Sequence, residues 1–393
     1  MIYFRLLMMR KWILIVLLLV VAKVNAQEQK NVADLDALYE SIQKLPSFKA
    51  QLKNDASYRL LYENLRNDMK SSDDFVVYQQ LLKLIYPIKD NHLGLYRKPD
   101  SSYTFNYFKP AFNSVELEAK YAQTPVDSII GLYFSLNGKN KAIVYEQSPR
   151  IFYLQNLTTG IVEAVLNQTD PTRFEVVRFL SPPVPYVLYR NVRFRNGRFD
   201  DLGYQKQQAI AYNELKRSAE NFEYKDLGEG VGYLRLSSFS ANNANVKKAT
   251  DFLNQTKSKI NAPNLIVDVR NNGGGAYKTS MQFINFLTRY KGHVYILHNG
   301  FSVSNAEQFV ISLKGRKNVT TLGEATKGTI TYGSNYGKTI QLPSGRFLFY
   351  PTDMRGAARD LKYENVGVEP DVKLDYRTGD WINQVKEYIK GKI

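Results

Sequence analysis

The chain has 393 residues, 44% of them hydrophobic and 23% charged, which is the make-up of a folded protein with core enough for two or three domains and excludes a disordered or collagen-like chain. It carries 53 Lys+Arg against 37 Asp+Glu, a formal +16, with four of those cations (Arg5, Arg10, Lys11, Lys23) in the first 26 residues; the rest are scattered, so no dense basic footprint for nucleic acid is present and the excess points at most to anionic envelope polymers or acidic substrates. There is no cysteine, which rules out disulfides, thiol nucleophiles, thiolate metal sites and a lipid-modified cysteine.

Residues 1–26 read as a secretory signal peptide. Arg10-Lys11 precede the apolar run Trp12–Ala22, and Val24-Asn25-Ala26 supply small or tolerated residues for cleavage. A membrane anchor would need about 20 uninterrupted apolar residues, and Arg10 and Lys11 break the run. The mature protein is expected to begin near Gln27, to have no transmembrane segment, and to work as a secreted or periplasmic protein that is not a lipoprotein.

From Asn31 to Ile88 apolar residues recur at helical spacing (Leu35, Leu38, Ile42, Leu45; Leu60, Leu61, Leu65; Leu81, Leu82, Ile85), predicting an N-terminal helical domain over 27–100. Over 101–203 the pattern changes to short aromatic and β-branched runs, Ile129–Phe134, Ala142–Tyr145, Ile151–Leu154, Phe174–Leu180 and Val184–Tyr189, predicting an inserted β-rich domain, a barrel or a sandwich. From 204 to 393 strands and helices alternate: strands Gly232–Leu236, Leu265–Val269, Val294–Leu297 and Val319–Leu322, helices Asn245–Lys257, Tyr277–Arg289 and Ser304–Leu313, then hairpin-like strands and a closing helix Trp381–Ile389. That alternation predicts a mostly parallel sheet, an α/β core within an α+β whole.

In such sheets ligands gather beyond the carboxyl ends of strands. Two loops there are unusual. Asp268-Val269-Arg270-Asn271-Asn272-Gly273-Gly274-Gly275 puts three glycines between a strand and a helix, exposing amides that could cradle an anion or a developing oxyanion; a plain tight turn would look the same. No Gly-Lys-Ser/Thr follows, so it is not a nucleotide phosphate loop. His298-Asn299-Gly300-Phe301-Ser302-Val303-Ser304-Asn305-Ala306-Glu307 joins the next strand to a helix, and Ser304 with Glu307 also fits an ordinary capping box. A serine loop beside a triple-glycine loop is the adjacency that a nucleophile and its oxyanion donors need.

Four segments resemble the C-terminal processing (tail-specific) and tricorn-type serine peptidases, in that family's order: Val231 to Phe239; Asp268 to Gly275; Asn299 to Glu307 followed by Gly323-Glu324-Ala325-Thr326; and Gly367-Val368-Glu369-Pro370-Asp371. The resemblance implies a crotonase-like α/β peptidase core, with Ser304 as nucleophile and oxyanion donors from Gly274 or Gly275 and from Asn305. The lysine branch of the family places its base in a Thr-Phe-Gly-Lys-Gly context; Thr326-Lys327-Gly328 lacks the Phe-Gly pair, leaving Lys327 as the alternative base. The tricorn branch takes a histidine from a segment resembling Asp-Gly-His-Thr, which Asp90-Asn91-His92-Leu93 matches at Asp and His. His92 is therefore expected as general base, with Glu364, just before Gly367, orienting it. His298 ranks behind both. No PDZ-like carboxylate loop is recognisable; the β-rich segment stands in its place. The expected partner is a peptide or protein substrate, with no cofactor, no metal and no nucleic acid. The competing expectation is an inactive member of the fold that binds peptides or small ligands in the cell envelope.

Overall fold

The computed structural model describes residues 26–99, 110, 113–136, 138–179, 185–206, 220–334, 338–354, 357–375 and 379–391. Residues 1–25 of the expected signal peptide lie outside the described residues, as do the ends of the expected strands at Leu180 and Val184. The chain divides into two compact units, one of Met1–Asn106, Val177–Leu188 and Ser334–Met354, the other of Tyr107–Val176, Tyr189–Gly333 and Arg355–Ile393.

In the first unit, helices run over 26–44, Pro46–Gln51, Ala56–Asp68 and Asp74–Ile85. Asp55 and Asp73 cap the last two by accepting from the amides of Ser57 and of Phe75 and Val76, satisfying donors a helix start leaves open. Leu35, Leu38, Ile42, Leu45, Leu65, Leu81, Leu82 and Ile85 are all buried, but Leu60 is 57% exposed because Tyr58, Leu65 and Met69 define the inward face instead. Strand Gly94–Arg97 pairs antiparallel with Phe347–Tyr350. Arg346 ties this strand pair to the helices, donating to Asn31 (2.7 Å), Asp34 (3.1 Å) and Asp74 (2.6 Å).

The β-rich segment, most of it in the second unit, is a closed eight-stranded antiparallel barrel rather than a sandwich. Its order is Tyr186–Arg195, Arg173–Phe179, Val162–Asp170, Ile151–Asn156, Lys141–Ser148, Gly131–Ser135, Tyr204–Gln205 and Arg198–Phe199, and the last strand pairs back onto the first at Phe194↔Phe199 and Arg195↔Arg198. Tyr133, Phe152, Phe174, Phe194 and Phe199 fill the interior, so this is a packed core and not a channel.

The six-stranded sheet of this unit runs Phe222–Asp226, Val231–Leu236, Asn264–Asp268, His293–His298, Val319–Gly323 and Val372–Lys373, antiparallel at the first pair and parallel thereafter. Helices Asn243–Thr256, Tyr277–Thr288 and Asn305–Leu313 cover one face, where Leu265, Val267 and Ile296 pack on Phe283, Leu287 and Phe309. The closing helix Trp381–Ile389 covers the other, with Trp381 and Val385 against Ile266, Leu297 and Leu322. Burial on both faces is why the central strands read as largely apolar runs, unlike the edge strands Phe222–Asp226 and Val372–Lys373. Among the described residues no helix is long and apolar enough to cross a membrane.

Candidate active site

The central strands pair with Asp268 opposite Leu297, so the loops that follow them emerge side by side. Hydrogen bonds join the two loops. The Asn271 amide donates to Asn299 Oδ1 (3.0 Å), Asn299 Nδ2 to Asn271 Oδ1 (2.7 Å), and the Val303 amide to the Asn272 carbonyl (2.9 Å). Ser302 Oγ donates to the Val269 carbonyl (2.8 Å).

Ser304 sits where the second loop turns into helix Asn305–Leu313, with φ 57° and ψ −118°. A residue with a side chain holds that conformation only where its surroundings over-determine it, at a cost of about 1–3 kcal/mol. A strained strand-to-helix turn is also how a serine hydroxyl is presented outward beside helix amides. Gly274 lies against this turn. A Cβ there, at φ +82°, would stand 2.5 Å from the Val303 carbonyl oxygen, 2.9 Å from the Asn305 nitrogen and 3.0 Å from Ser304 Cβ. Gly275, at φ +140°, is pressed against the Phe239 carbonyl, and the Ala276 amide donates to that same oxygen (2.8 Å). The two glycines thus answer two separate close approaches. The Gly274 amide is already donated to Asn272 Oδ1 (2.9 Å), while Asn272 Nδ2 holds the Leu236 carbonyl (2.9 Å).

Glu307 does more than cap the helix. Fully buried, it accepts from the Ser304 amide (2.9 Å), Thr326 Oγ1 (2.5 Å), and the amides of Gly328 (2.7 Å) and Thr329 (2.9 Å). Burial pushes its carboxyl up to about 7 against the pull of those donors. Glu364, also buried, takes the next two amides, Ile330 and Thr331, at 2.9 Å each. The strip 328–331 is therefore held by two carboxylates in succession. The Gly367 segment lies along the same strip, its Val368 amide donating to Thr326 Oγ1 (2.7 Å), and Asp371 fixes the neighbouring strand through the Thr321 amide (2.9 Å).

Of the residues singled out from sequence, Ser304, Gly274, Gly275, Asn305, Glu364 and Lys327 all lie in the second unit, and the glycine loop and Ser304 are brought together. His92 belongs to the first unit, where its amide donates to Asp90 Oδ1 (3.2 Å) and Thr352 Oγ1 donates to Asp90 Oδ2 (2.5 Å). Burial lowers the His92 pKa, with Asp90 opposing. The Lys327 ammonium is paired with Asp201 of the barrel. His298 is fully buried and pushed down to about 4 by that burial, with the Glu324 backbone opposing.

Three contributors are not apparent from sequence reading: Asn272 and Asn299, which shape the two loops, and Asp268. The fully buried Asp268 accepts from Tyr233 Oη (2.9 Å), Arg235 (3.0 Å) and Arg270 (2.7 Å), and Arg270 lies over Trp381 at 5.8 Å. Burial would raise its pKa, but Arg270 and Arg235 hold it below the usual carboxylate range. The only sequence signal is a charged pair, Asp268 and Arg270, closing an apolar strand.

Residues 230–289 and 285–374, the segments that build this geometry, match the model of peptidase family S41. Over those residues the chain is similar to the peptidases of family S41. Among solved structures it is similar to a putative peptidase from Parabacteroides merdae ATCC 43184 (16% identity, 93% of this chain and 97% of that one, TM-score 0.46) and to mature CPAF (13%, 93% and 97%, 0.47). The photosystem II D1 C-terminal processing protease is similar at 14% identity over 89% of this chain and 93% of that one, TM-score 0.40. No curated protein matches the chain.

Proposed function

We propose that this chain is a secreted or periplasmic peptidase that cleaves peptide bonds through an acyl-enzyme on Ser304, with His92 as general base. The observation that carries the reading is Ser304 itself, held at φ 57° at the head of a helix with Gly274 packed against it. His92 would take the Ser304 proton as Oγ attacks the scissile carbonyl, then return it to the departing amine; water would release the acyl group by the same relay. With the Gly274 amide committed to Asn272, the amides of Gly275 and Asn305 are the donors we assign to the oxyanion. Glu364, a buried acceptor of two backbone amides, is assigned to orienting the base side of the site. Export is supported by Arg10-Lys11, the apolar run Trp12–Ala22 and Val24-Asn25-Ala26.

The pairing of Lys327 with Asp201 favours His92 as base, since an ion-paired ammonium carries no free electron pair. Lys327→Met should accordingly keep peptide turnover within about threefold of wild type, the modest effect expected of a partly exposed ion pair; loss of turnover would return the base role to Lys327. Intact-mass spectrometry after treatment with a fluorophosphonate tests the core of the reading. Wild type should gain one adduct, Ser304→Ala none, and His92→Ala should react about 100-fold or more slowly. Because the His92 pKa is lowered, reactivity should stay on its plateau at neutral pH and decline only below the ordinary histidine value of about 6.5. A wild-type serine that never reacts would leave the peptide-binding alternative standing.

A further inference from the structure

One barrel strand, Tyr186–Arg195, holds the backbone next to the nucleophile loops. Asn191, at φ 51°, interrupts the strand Tyr186–Arg195, and beyond it Val192 and Phe194 enter the barrel core, which turns Arg193 and Arg195 outward. These outward residues hold the backbone beside Ser304. Asn191 Nδ2 donates to the Lys327 carbonyl (3.0 Å), and Arg193 donates to the carbonyls of Ala325 (3.2 Å) and Thr326 (2.5 Å). Arg195 pairs with Glu324 and donates to Asp200 (3.3 Å). From there two short relays lead to the nucleophile. Thr326 Oγ1 donates to Glu307, which accepts the Ser304 amide; Glu324 Oε1 accepts the Gly300 amide (3.0 Å), four residues before Ser304.

Arg193 is buried, its acceptors are mainly carbonyl oxygens, and its Nε makes no hydrogen bond among the described residues, the nearest carboxylate oxygen, on Asp200, standing 3.9 Å from it. Burying a guanidinium this way is costly, and burial with Arg195 alongside pulls its pKa down to about 10. A leucine or methionine would pack a barrel–core contact with less expense. The cation instead fixes two successive carbonyls.

We propose that Arg193 and Arg195 are positioning residues for Ser304, which makes the barrel wall a working part of the catalytic centre and not a separable collector of substrate. The proposal rests on the reading of Ser304 as nucleophile.

Hydrogen exchange on the full chain tests it without requiring turnover. In Arg193→Met and Arg195→Met, peptides covering 299–306 and 324–331 should exchange about tenfold or more faster, while barrel peptides over 141–156 keep wild-type rates. In turnover assays kcat should fall about 10- to 100-fold with KM within about threefold, and Arg193→Lys, which keeps the charge and a donor, should recover part of the loss. Wild-type exchange in both loops of both Met variants overturns the proposal whether or not the chain cleaves peptides. An unreactive wild-type serine would sink the nucleophile reading alone and leave the exchange data to decide the positioning. If either Met variant loses barrel protection as well, Arg193→Lys decides by the same comparison.

Discussion

Gly274→Ala should yield a folded protein whose kcat/KM is lower by about 1,000-fold. The methyl group would stand 2.5 Å from the Val303 carbonyl oxygen and 2.9 Å from the Asn305 nitrogen, so the turn carrying Ser304 must move to admit it. A displaced oxyanion donor alone costs about 100- to 1,000-fold in kcat, and a shift of an ångström in the nucleophile adds to that. The residue must also hold φ +82° with a side chain, an added strain of about 1–3 kcal/mol. Steady-state turnover together with thermal unfolding checks the claim. A variant that keeps near wild-type turnover would show that the Gly274–Ser304 approach does not matter to chemistry. One that is merely unstable, with full activity per folded molecule, would show that the glycine serves the fold alone.

Glu307→Ala is expected to be the most damaging single change around the site. It strips the acceptor from four groups at once, the Ser304, Gly328 and Thr329 amides and the Thr326 hydroxyl. Buried donors without acceptors cost about 1–3 kcal/mol each, not fully additively, so a loss of roughly 3–5 kcal/mol is expected. Denaturant unfolding measures it. Glu307→Gln keeps the volume and one acceptor oxygen, and separates fold from charge. With its carboxyl raised from 4.5 to about 7 by burial, Glu307 binds its proton more tightly in the folded chain. The folded state then holds more protons than the unfolded one between pH 4.5 and 7, so wild-type stability should fall relative to Glu307→Gln as pH rises through that window, by up to about 3 kcal/mol. A stability difference that stays constant across the window would mean that the four donors, rather than burial, set its protonation.

The sheet-and-helix alternation after 220 was legible because each of the four central strands is largely buried on both faces and each helix on one; helix Trp381–Ile389 falls where its periodicity places it. Barrel closure was not. It depends on Arg198–Phe199 and Tyr204–Gln205, two strands of two residues each, too short to show any period, and a run of hairpins reads the same whether it folds into a sandwich or closes. Strand Gly94–Arg97 has its partner at Phe347–Tyr350, a pairing with no local signature. At the site, the triple glycine advertised backbone access, but which glycine serves which contact depends on Phe239 and Val303, far apart in the chain. Glu307 looked like a capping residue because Ser304 is three positions away, whereas three of its four donors come from 326–329. Sequence-local rules find the near partner first. Arg193 and Arg195 carried no signal among 53 basic residues.

The strained turn at Ser304 has a consequence for the chain while it is still being made. Its backbone is held by Asn272 from upstream and, through Glu307, by Thr326, Gly328 and Thr329 from downstream, and that strip is anchored in turn by Glu364 and Val368. Until the ribosome has delivered residues as far as 368, the left-handed serine has only its upstream support from Asn272 and lacks the downstream strip that completes it. The strained turn is thus completed by segments synthesised well after it, so its geometry depends on the C-terminal third of the chain having been delivered.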